Sequence, residues 1–306
     1  MRILKTLGLV LAVLIALLAV ASIYYLGSEE VPSKTAYRID LPELRRLAQS
    51  LPGNLPTEIR FQNIADGGLP RALMMAGESF DIQPMTRPVF QVMHPDGSFE
   101  LIDVAYDRAS HEAMFDPESY SDAAWNRLVT VMENASQIVI THEHEDHIGG
   151  LLAHPRPEKI AAQIRLNTEQ ADAPRSAIDA TIPPALLSQI DPLDFDDALA
   201  IAPGVVLKRA AGHTPGSQII FVRLTEGREF LFVGDVVWNL DAVTMLKYRP
   251  RLITDLVIDE DRAAGLDLVR ALRDIYDEAR VRIVVSHDAR TFANGILTEG
   301  FAPGTF

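Results

Sequence analysis

The hydrophobic pattern divides the chain into two unequal parts. From Leu7 to Leu26 there is no charge and no strongly polar group except Ser22. A helix over that run would be about 30 Å long, the thickness of a bilayer's hydrocarbon core. Beyond it, apolar residues come in short runs and helical periods typical of a folded domain.

Residues 31–57 hold Pro32, Pro42, Pro52, Gly53 and Pro56 around one short amphipathic stretch, Leu41–Leu51. They read as a linker with a short helix, or as the start of the domain's outer layer. Strand-like runs follow at Ile59–Phe61, Val89–Met93 and Phe99–Val104, the last two separated by the turn sequence His94-Pro95-Asp96-Gly97. Ser121–Asn134 places Ala124, Leu128, Val131 and Met132 at helical spacing. Asp261–Arg280 does the same with Leu268, Val269, Leu272, Ile275, Tyr276 and Ala279. These helices run into the β-rich stretches Gln137–Thr141 and Val281–Ser286. Val205–Arg209, Gln218–Leu224 and Phe230–Val233 read as further strands. Helices alternating with strands, some joined by tight turns, predict a mixed α/β domain over residues 58–306.

Composition changes that picture in three ways. With 48% hydrophobic and 23% charged residues the chain can bury a sizeable core, which excludes disorder throughout. A formal charge of -14 argues against a nucleic-acid partner. The absence of cysteine excludes disulfides, thiolate metal sites and cysteine nucleophiles. Charge also orients the apolar run. Arg2 and Lys5 precede it, Glu29 and Glu30 follow it, and Tyr24 and Tyr25 sit at the level of an interfacial belt. Residues 1–30 are therefore expected to be a membrane anchor, with the rest outside the cytoplasm, on the periplasmic side in a bacterium. The alternative is a signal peptide cleaved near Ala19-Val20-Ala21, which would release a secreted protein.

Three of the eight histidines crowd into Thr141-His142-Glu143-His144-Glu145-Asp146-His147, directly after the apolar run Ile138–Ile140. Residues two apart on an extended chain point the same way, so His142 and His144 can converge on one cation. Asp146 and His147 must point elsewhere, which suits a second cation nearby. Gly149-Gly150 would let the backbone pass close beneath such a site. Downstream, His213, Asp235 and His287 each follow a strand-like run. Polar residues that end apolar strands are where sites of α/β folds collect. Five imidazoles and two carboxylates suit zinc or a similar divalent transition ion.

The segment His142-Glu143-His144-Glu145-Asp146-His147 resembles the HxHxDH motif of the metallo-β-lactamase superfamily. The Gly-His-Thr-Pro-Gly, Gly-Asp and Ser-His-Asp segments around His213, Asp235 and His287 resemble its remaining metal motifs, in order. The resemblance implies an αββα sandwich with a two-metal site at one edge of the paired sheets. It implies that His142, His144 and His213 hold one ion, that Asp146, His147 and His287 hold the other, and that Asp235 bridges them. It further implies hydrolysis of a small-molecule substrate by a hydroxide shared between the ions, with Asp146 or Asp235 orienting it or moving its proton.

Departures from the pattern narrow the substrate. The lactamase subclasses with a cysteine ligand are excluded by composition, and Asp235 resembles the bridging aspartate of the glyoxalase II, lactonase and phosphodiesterase branches. A small ester, lactone or thioester is therefore expected. The alternatives are a β-lactam, a phosphodiester, or a metal-binding module without catalysis. Trp238 stands where acyl-homoserine lactonases carry tyrosine, and an indole donates one N–H but is no acid. Ser217 replaces a common histidine, and Asp103-Val104-Ala105 replaces the family's aspartate-threonine-glycine. Asp103 reads equally as a carboxylate orienting a ligand imidazole and as a cap.

Outside these motifs the expectations are plainer. His94, His111 and His154 read as surface or structural. Lys247, Arg249 and Arg251 read as a solvated turn around Pro250, or as a site for a substrate carboxylate or phosphate. Trp238, Leu240, Met245, Leu246 and Tyr248 read as a pocket wall or as core.

Overall fold

The computed structural model describes residues 2–172, 178–276, 281–290 and 301–302. Eleven strands form two sheets: β1 (Glu58–Pro70), β2 (Ile82–Met93), β3 (Phe99–Ile102), β4 (Gln137–Val139), β5 (Ile164–Arg165) and β11 (Phe301–Ala302) in one, ordered β11-β1-β2-β3-β4-β5. The other holds β6 (Ala198–Ala202), β7 (Val205–Arg209), β8 (Gln218–Arg223), β9 (Glu229–Phe232) and β10 (Val281–Val284), ordered β10-β9-β8-β7-β6. The helices are α1 (Arg2–Leu26), α2 (Leu41–Ala48), α3 (Arg71–Met74), α4 (Arg108–Glu112), α5 (Asp122–Met132) and α6 (Glu145–Ala153). Then come α7 (Pro184–Leu187), α8 (Leu240–Thr244), α9 (Arg251–Ile253) and α10 (Arg262–Tyr276), with a π-helical turn at Thr254–Ile258.

Two-residue alternation along the strands makes the layers. Ile102, Val139, Val205, Leu207, Ile220, Val222, Phe230 and Phe232 share one cluster drawn from both sheets, which is the inter-sheet core. Phe90 and Phe232 meet across it edge to face, with ring centroids 4.8 Å apart. The alternate residues face outward. Leu101 and Ile138 pack under α5 and α6 through Leu128, Met132, Ile148 and Leu151. Val206, Ile219, Phe221 and Leu231 pack under α2 and α10 through Leu44, Ala48, Leu268 and Leu272. The result is the expected αββα sandwich, in which each helix covers one sheet face with one apolar stripe.

Most expected elements are present. Ser121 caps α5 by accepting a hydrogen bond from the Ala124 N–H at 3.2 Å, and Ala124, Leu128 and Met132 form its buried stripe. Val31, Ile39, Leu41 and Leu44 are buried in the cluster beneath α10, so residues 31–48 contribute to the outer layer. Positions 277–280, which include Ala279 and the expected helix end at Arg280, lie outside the described residues.

Two expectations are corrected. β1 extends to Pro70, well past Phe61, because it pairs with β2 along its whole length through a register shift at Asn63–Asp66. Its polar and glycine positions conceal the period that the cross-strand pairing sustains. The second correction concerns Gly149 and Gly150, which lie inside α6 rather than beneath a site. A Cβ on Gly150 would stand 2.2 Å from the Val104 carbonyl oxygen, so the glycine serves close packing of α6 on the loop after β3.

Thr6–Leu26 is long and apolar enough to cross a membrane, with a mean hydropathy of 2.8 and none of that window buried.

Candidate metal centre

The strands fix where the site lies. β3 and β4 run parallel in one sheet, and β9 and β10 run parallel in the other. Their C-terminal ends reach the same edge of the sandwich. Asp103 follows β3, the histidine-rich segment follows β4, Asp235 follows β9 and His287 follows β10. Gly234, at φ +50°, turns the chain against Thr141 so that Asp235 is directed at the segment after β4. His213 lies in the loop between β7 and β8. Glu143 holds that loop in place by accepting from the Thr214 hydroxyl at 2.7 Å and the Gly216 N–H at 3.0 Å. Burial pushes the Glu143 carboxyl up.

All seven residues expected as ligands come together, in two groups. The ligating atoms of His142, His144, His213 and Asp235 lie within 4.8 Å of one another, as do those of Asp146, His147 and His287. Asp235 lies between the groups. Its Oδ2 is 3.5 Å from His213 Nε2 and 3.9 Å from His142 Nε2, while its Oδ1 is 3.1 Å from His287 Nε2 and 3.3 Å from His147 Nε2. Asp146 Oδ2 is 3.4 Å from His287 Nε2 and 2.8 Å from Arg87 Nε.

The protonation pattern tests whether cations fit. His213 Nδ1 is 2.6 Å from Glu260 Oε1, and His147 Nδ1 is 2.9 Å from Asp103 Oδ2. His287 Nδ1 is 2.8 Å from the Thr86 carbonyl oxygen. Each of these nitrogens donates to its acceptor, so the opposite Nε2 carries the lone pair in the neutral ring. Those Nε2 atoms point at other ring nitrogens: His213 Nε2 at His144 Nδ1 (2.9 Å) and His147 Nε2 at His287 Nε2 (3.3 Å). His142 Nε2 likewise faces His144 Nδ1 at 3.1 Å. Tetrahedral zinc with bonds of about 2.0–2.1 Å spaces its nitrogen ligands about 3.3 Å apart. Asp235 Oδ1, buried among them, has no hydrogen-bond partner. Converging lone pairs and an unpartnered carboxylate oxygen are an arrangement that divalent cations satisfy.

The electrostatics point the same way. Burial, with the neighbouring His144, pushes His213 down to about 4, and burial with His147 pushes His142 well down. Burial opposes the charge on Asp235, but His287 and His147 outweigh it and hold that carboxyl well below its usual range. Burial also opposes a charge on His147, yet Asp235 and Asp103 raise it. A cation there would replace a proton.

Among the groups with roles here, the sequence does not single out Glu260 or Arg87, and it reads Arg249 otherwise. Glu260 had no signal in the sequence, standing as one acidic residue among several after the π-helical turn. It accepts from His213, from the Tyr248 hydroxyl at 2.9 Å and from Arg249 Nε at 2.9 Å. Arg249 is neither solvated nor a substrate site: it is buried, donates to the Asp235 carbonyl oxygen at 3.0 Å and stacks 4.7 Å above the Trp238 ring. Lys247 pairs with Glu78, and Arg251 pairs with Glu29 at 2.8 Å. Arg87, buried in β2, had a faint signal as one cation in an apolar strand. Asp103 does both things expected of it, orienting His147 and accepting from the Thr141 N–H at 2.7 Å. Its φ of +58° is a conformation aspartate tolerates better than most residues.

His94, His111 and His154 are buried outside the centre and bonded to their surroundings. Of the apolar group proposed as a pocket wall, Trp238 lines the cavity over the centre, whereas Tyr248 is buried in the core cluster. Leu240 and Leu246 pack against that cluster and Met245 is exposed. The cavity measures about 590 Å³ and has Leu69, Met85, Met114, Phe115, Ile178 and Val257 in its walls, with His144, Asp146, Asp235 and His287 at its base.

Comparison with known proteins agrees with this architecture. Residues 134–285 match the family model described as the metallo-beta-lactamase superfamily. No curated protein matches the chain. Among solved structures, a quorum-quenching N-acyl homoserine lactone lactonase superposes with a TM-score of 0.59 at 13% identity, covering 78% of this chain and 94% of its own. A probable metal-dependent hydrolase from Staphylococcus aureus superposes with a TM-score of 0.56 at 12% identity, covering 76% and 90%. A dizinc quorum-quenching lactonase, in complex with its product, superposes with a TM-score of 0.51 at 15% identity, covering 76% and 88%. The match places residues 134–285 in the metallo-beta-lactamase superfamily, and the two-sheet fold and the gathering of histidines and aspartates at its edge agree with a metal-dependent hydrolase.

Proposed function

We propose that the chain is a membrane-tethered hydrolase that uses two divalent ions, zinc by the donor set, to cleave a small ester, lactone or thioester outside the cytoplasm. The observation that carries this reading is the convergence of imidazole lone pairs on two adjacent points straddled by Asp235, whose Oδ1 has no other partner. When bound, such ions supply an activated water and polarise a substrate carbonyl. His142, His144 and His213 would hold the first, Asp146, His147 and His287 the second, and Asp235 both.

The chain's own residues account for the rest. Asp103 and Glu260 keep His147 and His213 in the tautomer that presents Nε2. Burial opposes the charge on Asp146, but His147 and Arg87 outweigh it, and Arg87 pairs with one of its oxygens at the cavity base, where the carboxylate can take a proton from the attacking water. The apolar walls supported by Phe115 and Met114 suit a substrate with an acyl chain. Structural neighbours named as lactonases support trying lactones first. The charge pattern around α1 supports an anchor that leaves the domain outside the cytoplasm.

The test is metal analysis of the purified full-length protein beside turnover of ester, lactone, thioester, phosphodiester and β-lactam substrates. Two equivalents of metal and chelator-sensitive cleavage of a carboxylic ester, lactone or thioester are expected. Undiminished turnover after metal removal defeats the mechanism, and bound metal without turnover of any substrate leaves a metal-binding module.

A further inference from the structure

Among the described residues, few large apolar side chains outside α1 are exposed, and two of them follow α9, the helix that meets the end of α1. Leu256 and Val257, in the π-helical turn after α9, are 60% and 51% exposed. Val257 also lines the cavity over the metal centre, so it belongs to the rim of the site's mouth. Met114, on the same cavity wall, is exposed as well. Phe80 and Ile82 are exposed in the segment after Gly77, whose Cα is close to Ser28.

The end of α1 is seated on this surface. The Arg251 guanidinium lies 5.1 Å from the centre of the Tyr24 ring, and Glu29 pairs with both Arg251 and Arg262 at 2.8 Å. Tyr24 is in the last turn of α1, where a spanning helix meets the headgroups. Contact between α9 and that turn places α9 at headgroup depth, with no slack between anchor and domain. Leu256 and Val257 project from the next turn of the same segment. Apolar side chains at that depth enter the boundary between headgroups and acyl chains, about 5–10 Å deep. The nearby cations are paired: Arg251 with Glu29 and Asp255, Arg71 with Glu78 and Asp241. Insertion there depends on apolar burial rather than on anionic lipid.

We propose that the apolar rim formed by Leu256 and Val257, together with the exposed Phe80 and Ile82 of the segment after Gly77, inserts into the leaflet that holds α1, so that the mouth of the metal centre opens onto lipid. The inference rests on reading α1 as an uncleaved anchor, and it deepens the proposed function. The substrate class it selects is a bilayer-dissolved acyl ester, lactone or thioester, whose chain enters past Val257 without crossing bulk water.

The absence of cysteine allows a clean test, because an introduced thiol is unique. Leu256→Cys and Glu226→Cys in the full-length protein are labelled with an environment-sensitive fluorophore and placed in phosphatidylcholine nanodiscs. Glu226 lies in the turn before β9, at the opposite end of that strand from Asp235. Nitroxide-labelled phosphatidylcholine is expected to quench the Leu256 label at least about twofold more than the Glu226 label. With α1 shown intact by mass spectrometry, an unquenched Leu256 label, or equal quenching at both positions, overturns the docking alone. Loss of α1 from the membrane-extracted protein overturns anchor and docking together. Neither result depends on turnover, so both are distinct from failure of the hydrolase reading. Once a substrate is known, Phe80→Ser/Leu256→Ser should raise the apparent KM for a long-chain ester in nanodiscs and leave a short, water-soluble ester unaffected. An unchanged KM for both esters overturns the lipid route.

Discussion

The Trp238 indole N–H donates to Asp235 Oδ2 at 2.7 Å, and Asp235 is the carboxylate that lies between the two groups of candidate ligands. The ring is itself held from the other side by the buried Arg249 guanidinium. A hydrogen bond to a charged group contributes about 1.5–3 kcal/mol when its loss leaves the acceptor buried. Here it fixes which oxygen of Asp235 faces His142 and His213 and which faces His147 and His287.

Trp238→Phe keeps an aromatic ring under Arg249 and removes the donor. Hydrolysis is expected to fall about tenfold to a hundredfold, with the unfolding temperature little changed. Steady-state kinetics beside a thermal melt would check this, and unaltered turnover would show that Asp235 needs no help from the indole.

Glu260 and Arg249 form a buried pair at 2.7 Å that also holds His213 and Tyr248. Burial opposes the Glu260 charge, but Arg249 and His213 keep its carboxyl below the usual range. Removing the charge in Glu260→Gln leaves a guanidinium uncompensated and should cost about 3–5 kcal/mol in urea unfolding. Arg249→Met in the same chain should restore part of that stability without restoring metal affinity, because His213 still lacks its carboxylate.

Asp103→Asn preserves the shape of the side chain and weakens its grip on His147 Nδ1. Metal affinity is expected to drop about 10–100-fold, as for other carboxylates behind a ligand imidazole. Competition with a fluorescent chelator measures it. An unchanged affinity would assign Asp103 to holding Thr141 alone.

His94 gives a pH signature away from the metal centre. Its Nδ1 faces the Asn54 carbonyl oxygen at 3.0 Å and its Nε2 faces Glu100 at 2.8 Å, so both nitrogens need a proton. Burial opposes that charge, but Glu100 outweighs it and the net direction is upward. A raised folded-state value means that the pair's stabilisation is complete below the ordinary histidine value of about 6.5 and fades as pH rises through the raised one. His94→Gln should therefore lower the melting temperature more at pH 6 than at pH 9. Equal effects at both pH values would mean that His94 is neutral throughout.

Much of the fold and of the centre was legible because its signals are local. An apolar run followed by a polar, ligand-type residue marks both a strand and its end, and this placed His142, Asp235 and His287 before any geometry was known. The apolar runs marked β7, β8 and β9 as strands, while α5 declared itself through the helical spacing of Ala124, Leu128 and Met132. α6 was missed because Gly149 and Gly150 depress helix propensity, and only packing against Val104 explains them.

By itself, then, the sequence determined the long N-terminal apolar run, the strand and helix pattern, and the identity of seven metal-type side chains, since each depends on neighbours in the chain. Tertiary structure alone decided which of those side chains meet and what holds them. His147 and His287 stand 140 residues apart, His213 and Glu260 are 47 apart, and Arg249 reaches both Glu260 and Asp235 from an unremarkable loop. No local period encodes such partners. They are selected by the register of parallel strands at one sandwich edge, and by the rule that a charge taken out of water must find its counterpart there.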